Sequence, residues 1–175
     1  LYGYYLSSPV NWLGALCPRP LIAEFITVVI LVKIGLAGMS FAYYLRKHFG
    51  KDNMGLVFFS SAYALSGFMA AYQWNIMWLD TFALLPLVML GMVSLLRDKK
   101  FILYTVTLFL SIGINYYIGF FTCIFVFLIF ICYEICRWRS FSTFFTDLGN
   151  MALFSLLAIG MTAIISLPTL AALQT

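Results

Sequence analysis

Residues 21–45 read LIAEFITVVILVKIGLAGMSFAYYL, and this stretch decides the fold. It contains two charged side chains, Glu24 and Lys33, and it is followed by the polar run RKHFGKD at residues 46–52. A helix rises about 1.5 Å per residue, so these 25 residues can cross a hydrocarbon core of about 30 Å with room for tilt. We therefore expect a transmembrane helix here.

The composition of the whole chain agrees with that expectation. Residues of the set AVILMFWYC make up 64% of the 175 residues, charged residues make up 9%, and the mean hydropathy is +1.02. Soluble domains carry about 45–50% apolar and about 25% charged residues. These values exclude a soluble enzyme, a disordered chain and a nucleic-acid-binding module, and they predict an all-α, polytopic transmembrane helix bundle.

Short polar segments divide the apolar sequence into about six spans. Residues 1–20 are rich in aromatic and turn residues, which predicts an extracytoplasmic interfacial loop before a bundle that occupies residues 21–175. Residues 73–80 are predicted to form a polar, aromatic corner, and residues 141–150 a short interfacial segment. The chain starts without Met and stops just after an apolar run, so we expect a segment of a larger protein, truncated at both ends. After residues 21–45, the predicted spans are 54–72, 81–96, 101–114, 118–135 and 151–167.

The basic residues predict the orientation. Eight of the ten Lys and Arg residues lie in three loops, at 46–51, 97–100 and 137–139, and six crossings place all three loops on one side. The positive-inside rule assigns that side to the cytoplasm. The polar, aromatic corners then face the outside.

Two charges near the apolar spans need an explanation, because an ionised group at membrane depth costs roughly 2.5–3.5 kcal/mol on insertion scales. Lys33 lies in the middle of its span. It either pairs with a carboxylate or helix carbonyls of a neighbouring span, or it binds a lipid phosphate or sugar. Asp80 directly precedes the third predicted span, so it either caps that helix or contacts a substrate, a metal or a basic group.

Polar and aromatic residues beside these charges complete the candidate site. Asn75 and Trp78 flank Asp80, and they combine a flat apolar face with polar partners, as a sugar or a lipid headgroup requires. Asn115 and Tyr116 form either a polar turn in the aromatic belt or a re-entrant turn that lines an aqueous cavity. The four cysteines and the single histidine, His48, show no zinc-ligand spacing, so no metal ligand is assigned.

The order of the short motifs resembles that of bacterial YfhO-type membrane proteins. The similarity covers nearly the whole chain, and its most specific strings are NIMWLD at residues 75–80 and NYYIG at residues 115–119. The other matching strings are PVNW at 9–12, LVKIGLAG at 31–38, FAYYLR at 41–46, LSG at 65–67 and LPTL at 167–170.

The resemblance implies a GT-C-like fold and a glycosyltransferase of the bacterial cytoplasmic membrane. Such an enzyme takes a sugar from a polyprenyl-phosphate donor in the membrane lipid and transfers it, on the outer face, to a surface polymer such as teichoic acid. The resemblance also implies that the catalytic carboxylate lies in an outer loop that would precede Leu1, so that the segment alone would be inactive.

Sugar transfer of this kind needs a base near the acceptor hydroxyl and a cation for the departing phosphate, a need that a divalent metal can also meet. Two other functions stay open: a transporter or flippase of a lipid-linked sugar, and a non-catalytic membrane subunit. The residues expected to bind substrate are Lys33, Asn75, Trp78, Asp80, Asn115 and Tyr116.

Overall fold

The computed structural model describes residues 8–50 and 52–163, and every regular element in these two ranges is helical. Two short 3-10 helices, Leu13–Leu16 and Arg19–Leu21, lie between the first two α-helices. The α-helices in chain order are α1 (Pro9–Trp12), α2 (Ile22–Phe49), α3 (Met54–Ala64), α4 (Gly67–Tyr72), α5 (Ile76–Asp98), α6 (Ile102–Ile114), α7 (Tyr116–Cys136) and α8 (Phe141–Met161).

The lengths and apolar composition of these helices confirm the prediction of an all-α polytopic bundle. In the described part of the chain, five stretches are long and apolar enough to cross a membrane, and α6 is a shorter apolar helix. The five stretches are Arg19–Phe49, Met54–Tyr72, Ile76–Asp98, Tyr116–Cys136 and Phe141–Met161. The prediction of an extracytoplasmic loop at residues 1–20 stays a prediction, and its first seven residues lie outside the described residues.

The third predicted span, 81–96, is too short, and the predicted corner at 73–80 is wrong over most of its length. Helix α5 begins at Ile76, so Asp80 lies inside the helix and not at its N-terminus. The apolar residues from Ile76 to Leu79 form the first turn of this helix. Asp80 can lie inside the bundle because Lys33 compensates its charge there.

The predicted interfacial segment at 141–150 is also wrong, because α8 is one continuous helix from Phe141 to Met161. Two of its polar side chains have hydrogen-bond partners. Thr146 donates a hydrogen bond to the carbonyl of Ser142, and the buried Asp147 accepts one from Lys99. The last residues of the predicted span 151–167 lie outside the described residues.

The second predicted span, 54–72, is interrupted. Helix α3 ends at Ala64 and α4 starts at Gly67, with Ser66 in extended backbone conformation (φ −62°, ψ 160°) between them. The helical conformation is therefore interrupted between α3 and α4.

Helix α5 is the central element of the bundle. In its most apolar window 56% of the residues are buried, against 17% to 28% in the other candidate spans. It packs against α2 on one side and against α6 on the other. A Cβ at Gly91 would lie 2.5 Å from the Cα of Tyr104, and one at Gly119 would lie 2.6 Å from the Cα of Ile112. Glycine at these two positions allows α5 and α7 to approach the backbone of α6 directly.

Candidate functional site

The Lys33 ammonium lies at the centre of a buried polar cluster between α2 and α5. It donates hydrogen bonds to Oδ2 of Asp80 (2.7 Å), to the carbonyl of Ile76 (2.8 Å) and to Oδ1 of Asn11 (3.0 Å). Lys33 is fully buried, and Asp80 is 9% exposed. An ammonium group has three donors, so these three acceptors saturate it.

This cluster shows which protein groups the two charges contact. Lys33 pairs with a carboxylate and a carbonyl of a neighbouring span, which is the first of the two alternatives predicted for it. The N-cap reading of Asp80 is wrong, because the residue at the N-cap position of α5 is Asn75. Lys33 engages only Oδ2 of Asp80, and a tenth of the Asp80 side chain stays accessible.

Asn11 is a member of this cluster that sequence reasoning missed. It lies in α1, a one-turn helix that starts at Pro9, and its amide oxygen reaches Lys33 across 22 residues of sequence. The string PVNW at residues 9–12 was visible as a motif, but nothing in it indicates a partner in α2. The bond ties the segment before α2 to the interior of the bundle.

A groove of about 370 Å³ lies on the other side of α5, between its N-terminal half and α7. Its polar lining includes Thr81 and Thr122, whose hydroxyls donate to the carbonyls of Ser111 (3.5 Å) and Ile118 (3.0 Å). Seven aromatic residues also line it: Phe68, Tyr72, Trp78, Phe82, Tyr117, Phe121 and Phe125.

Trp78 and Tyr117 are at the aromatic end of this groove. Their ring centroids are 6.2 Å apart, and the Tyr72 ring lies 5.5 Å from that of Trp78. Tyr72, Tyr117, Phe121 and Phe125 are each more than 40% exposed, so the groove is open toward the surroundings of the bundle. It is an apolar trough with aromatic walls and two hydroxyls.

The structure therefore divides the predicted site residues between two faces of α5. Successive residues of a helix are about 100° apart, so Trp78 and Asp80 point in roughly opposite directions. Asp80 meets Lys33 on the α2 side, and Trp78 meets Tyr117 on the α7 side. One helix connects the ion pair with the groove.

Asn115 is fully buried and forms the N-cap of α7. Its Oδ1 accepts a hydrogen bond from the backbone N–H of Ile118 (3.0 Å). Its Nδ2 and the buried hydroxyl of Ser111 have no hydrogen-bond partner among the described residues. Helices α6 and α7 are thus joined by one capping residue, and this residue keeps an unused donor inside the bundle.

The other two predicted residues flank these features. Asn75 is 7% exposed, and its backbone N–H donates to the carbonyl of Tyr72 (2.9 Å). Tyr116 is partly buried at the first position of α7, outside the lining of the groove. Within residues 8–50 and 52–163 there is no group of three or more His, Cys, Asp or Glu side chains that could hold a metal ion.

A bundle with five helical stretches long and apolar enough to cross a membrane is the fold of a multi-pass membrane protein. The comparison with known families identifies the protein family. The family model described as "Bacterial membrane protein YfhO" matches residues 1–175, so the chain belongs to the YfhO family of bacterial membrane proteins. No curated protein and no solved structure matches the chain.

Proposed function

We propose that this chain is part of a membrane glycosyltransferase of GT-C-like type in the bacterial cytoplasmic membrane. It moves a sugar from a polyprenyl-phosphate donor to a surface polymer such as teichoic acid. The basic loops at 46–51, 97–100 and 137–139 face the cytoplasm, so the groove opens in the outer half of the membrane. The proposal assigns the catalytic base to no residue of this chain.

The aromatic groove is the observation that carries the proposal. A polyprenyl chain is apolar and flexible, and it needs a trough that it can enter sideways from the lipid; the exposed walls of the groove meet this need. Ring faces such as those of Trp78 and Tyr117 pack against the apolar face of a sugar. The hydroxyls of Thr81 and Thr122 add polar atoms along the same wall.

Lys33 supports this site indirectly. All three of its donors are engaged inside the bundle, so it has none to offer a donor phosphate. The ion pair fixes the outer half of α5 against α2. We assign Lys33 and Asp80 as positioning residues that hold Trp78 in place, and Asn75, Asn115 and Tyr116 as residues that shape the outer end of the cavity.

The test compares two tryptophans near the same membrane surface. Trp78→Ala removes a wall of the groove, whereas Trp74→Ala removes a side chain that is 70% exposed and bonds only locally, to the carbonyl of Ala71. Each variant of the full-length protein replaces the native gene, and glycosylation of the surface polymer is measured at matched protein levels.

Trp78→Ala is expected to reduce glycosylation about tenfold, because losing the contacts of this partly buried aromatic side chain costs roughly 1.5 kcal/mol of binding. Tyr117→Ala should act in the same direction, and Trp74→Ala should stay within about twofold of the wild type. Wild-type glycosylation in both groove variants contradicts the proposal.

A flippase of a lipid-linked sugar is the second candidate, and the break between α3 and α4 favours it. Discontinuous helices are common in transporters, and Phe68, which follows this break, lines the groove. Purified protein in vesicles with a labelled polyprenyl-phosphate sugar separates the two functions. The transferase forms glycosylated acceptor without speeding up donor translocation, whereas a flippase moves the donor and forms no product.

A further inference from the structure

A second cavity lies at the opposite end of the bundle, between the ends of α2, α5 and α6. It has a volume of about 250 Å³. Its polar lining comes from the C-terminal turns of α2 and α5 and from the loop that follows α5. These lining residues are Tyr43, Lys47, His48, Ser94, Arg97 and Lys100.

The charge of this basic pocket, as we call it, is not balanced internally. Asp98 also lines it, but its carboxylate is held by Arg97, with 3.0 Å between Nε and Oδ1. Lys47 lies over the ring of Tyr43 at 5.7 Å. In the described part of the chain neither Lys47 nor Lys100 forms a salt bridge. The three cations of the lining, Lys47, Arg97 and Lys100, thus face one carboxylate, Asp98, and neither ammonium group is within salt-bridge distance of it.

The start of α6 contributes positive potential, which opposes the negative dipole ends of α2 and α5 at the same cavity. The first N–H groups of a helix have no intrahelical acceptor, and they carry the positive end of the helix dipole. Phe101 at the N-cap position supplies no side-chain acceptor, and Leu103 in the first turn lines the pocket. Ammonium groups, hydroxyls and a helix N-terminus together are the donors that bind a phosphate group.

The surroundings of the pocket are apolar, which indicates a lipid phosphate and not a soluble one. On α2, Met39 lies one turn before Tyr43 and is 64% exposed. On α6, Ile102 and Val106 are 68% and 43% exposed beside Leu103. A molecule with its phosphate among Lys47 and Lys100 would place any attached acyl chains along these apolar stripes.

We propose that the basic pocket binds the phosphate headgroup of an anionic membrane lipid at the surface that carries the basic loops. This site is separate from the aromatic groove, and it would be occupied by bulk lipid, not by the sugar donor. It would anchor the joint between α2, α5 and α6 to the membrane surface.

Thermal unfolding of the purified full-length protein in a neutral detergent tests the proposal. Phosphatidylglycerol, phosphatidylcholine or inorganic phosphate is added in separate arms at equal phosphorus concentration. Lys47→Gln/Lys100→Gln removes two positive charges from the pocket. Arg137→Gln/Arg139→Gln removes two charges from the same membrane surface, outside the pocket.

Phosphatidylglycerol is expected to raise the Tm of the wild type and of the control, and phosphatidylcholine and phosphate are not. The pocket variant should need about 30-fold more phosphatidylglycerol for the same shift, since each lysine contributes about 1 kcal/mol. If both double variants lose the lipid-dependent rise in Tm equally, phosphatidylglycerol binds through diffuse surface charge, and the proposal is overturned. Full protection by inorganic phosphate would overturn the assignment to a lipid.

The Tm without added lipid shows whether the pocket variant is folded. If it is destabilised, native mass spectrometry of lipids retained on the wild type and the control provides a second measurement. Retention of phosphatidylglycerol no stronger than that of phosphatidylcholine overturns the proposal. Glycosylation in the Trp78→Ala experiment does not depend on this pocket, so the two proposals fail separately.

Discussion

At the scale of single residues, the cluster around Lys33 shows how a bundle accommodates charge at membrane depth. One acceptor is charged and two are neutral, so the cluster of Lys33, Asp80, Asn11 and the Ile76 carbonyl has no net charge. Removing either charged partner leaves the other one buried and unpaired. The penalty for that is larger than the net gain from forming the pair.

We therefore predict a strong asymmetry between single and double substitutions of this pair. Lys33→Met or Asp80→Asn alone should lower the free energy of unfolding by about 3–5 kcal/mol. The double variant should lose clearly less than the sum of the two, since it leaves no buried charge. Unfolding in detergent, followed by circular dichroism or thermal shift, measures all three.

The exposed pair Arg46–Asp52 supplies the matched control. Both side chains are 65% exposed, and the atoms are 2.9 Å apart, similar to the buried pair. Arg46→Met should cost at most about 1 kcal/mol, because water screens the remaining charge. Additive effects at Lys33 and Asp80, or equal costs for the buried and the exposed pair, would show that the buried ion pair is not formed.

Asn115 allows its two functional groups to be separated. Asn115→Ala removes the cap of α7 and should lower stability by about 0.5–2 kcal/mol. Asn115→Ser keeps a neutral side-chain oxygen that can cap α7 and removes the unpartnered Nδ2 donor without adding a charge at this buried site. If Nδ2 binds substrate, Asn115→Ser should keep stability near the wild type and lose glycosylation; wild-type glycosylation in that variant would limit Asn115 to capping.

At the scale of helices, close backbone contact sets the geometry around α6. There is little hydrophobic drive between helices inside lipid, so packing and small residues decide how they associate. Helices α5 and α6 approach each other most closely at Gly91, where the backbone of Tyr104 occupies the space that a side chain would need. Tyr104 in turn reaches Ser155 on α8 through its hydroxyl (2.7 Å), so this contact connects three helices.

Gly91→Ala is accordingly predicted to separate α5 from α6. Its Cβ would lie 2.5 Å from the Cα and 2.6 Å from the N of Tyr104, and backbone atoms cannot move aside as a flexible side chain can. We expect a loss of roughly 1–3 kcal/mol or more, from overpacking. The measurement is the Tm of the purified protein together with its yield from membranes.

Gly35→Ala is the matched control for this prediction. Gly35 lies in the middle of α2, and a Cβ there would meet no atom within 4 Å. This variant should fold as well as the wild type. A Gly91→Ala protein with unchanged Tm and yield would contradict the close α5–α6 contact.

The same helices show which features the sequence could predict. Long apolar runs with basic ends predicted α2 and α7 to within a few residues, since length and hydropathy are local properties. The position of Asp80 was misjudged because its partner, Lys33, lies 47 residues away. Likewise residues 141–150 are predicted to be interfacial, but their buried Asp147 is bound by Lys99 from the end of α5. The polar residues whose partners are distant in sequence are those that local patterns place wrongly.

At the scale of the whole molecule, unequal helix lengths constrain how the bundle can lie in a membrane. Helix α6 has 13 residues and α7 has 21, and one residue, Asn115, joins the C-terminal end of α6 to the N-terminal end of α7. Eight residues correspond to about 12 Å of helix. The C-terminal end of α7, with Arg137 and Arg139 after it, therefore extends beyond the start of α6 by about that distance, less any tilt.

The proposed orientation gives a prediction for the accessibility of both membrane surfaces. Single cysteines at Gln73, between α4 and α5, and at Ser140, just before α8, are introduced after the four native cysteines are replaced by serine or alanine. In intact cells, Gln73→Cys should react with a membrane-impermeant maleimide, and Ser140→Cys should react only after lysis.

The short helix α6 does not affect this result, because α6 and α7 together return the chain to the side on which α5 ends. If Ser140→Cys is labelled in intact cells and Gln73→Cys is not, the bundle has the opposite orientation in the membrane. The aromatic groove would then face the cytoplasmic half of the membrane, where a transferase acting on a surface polymer could not use it.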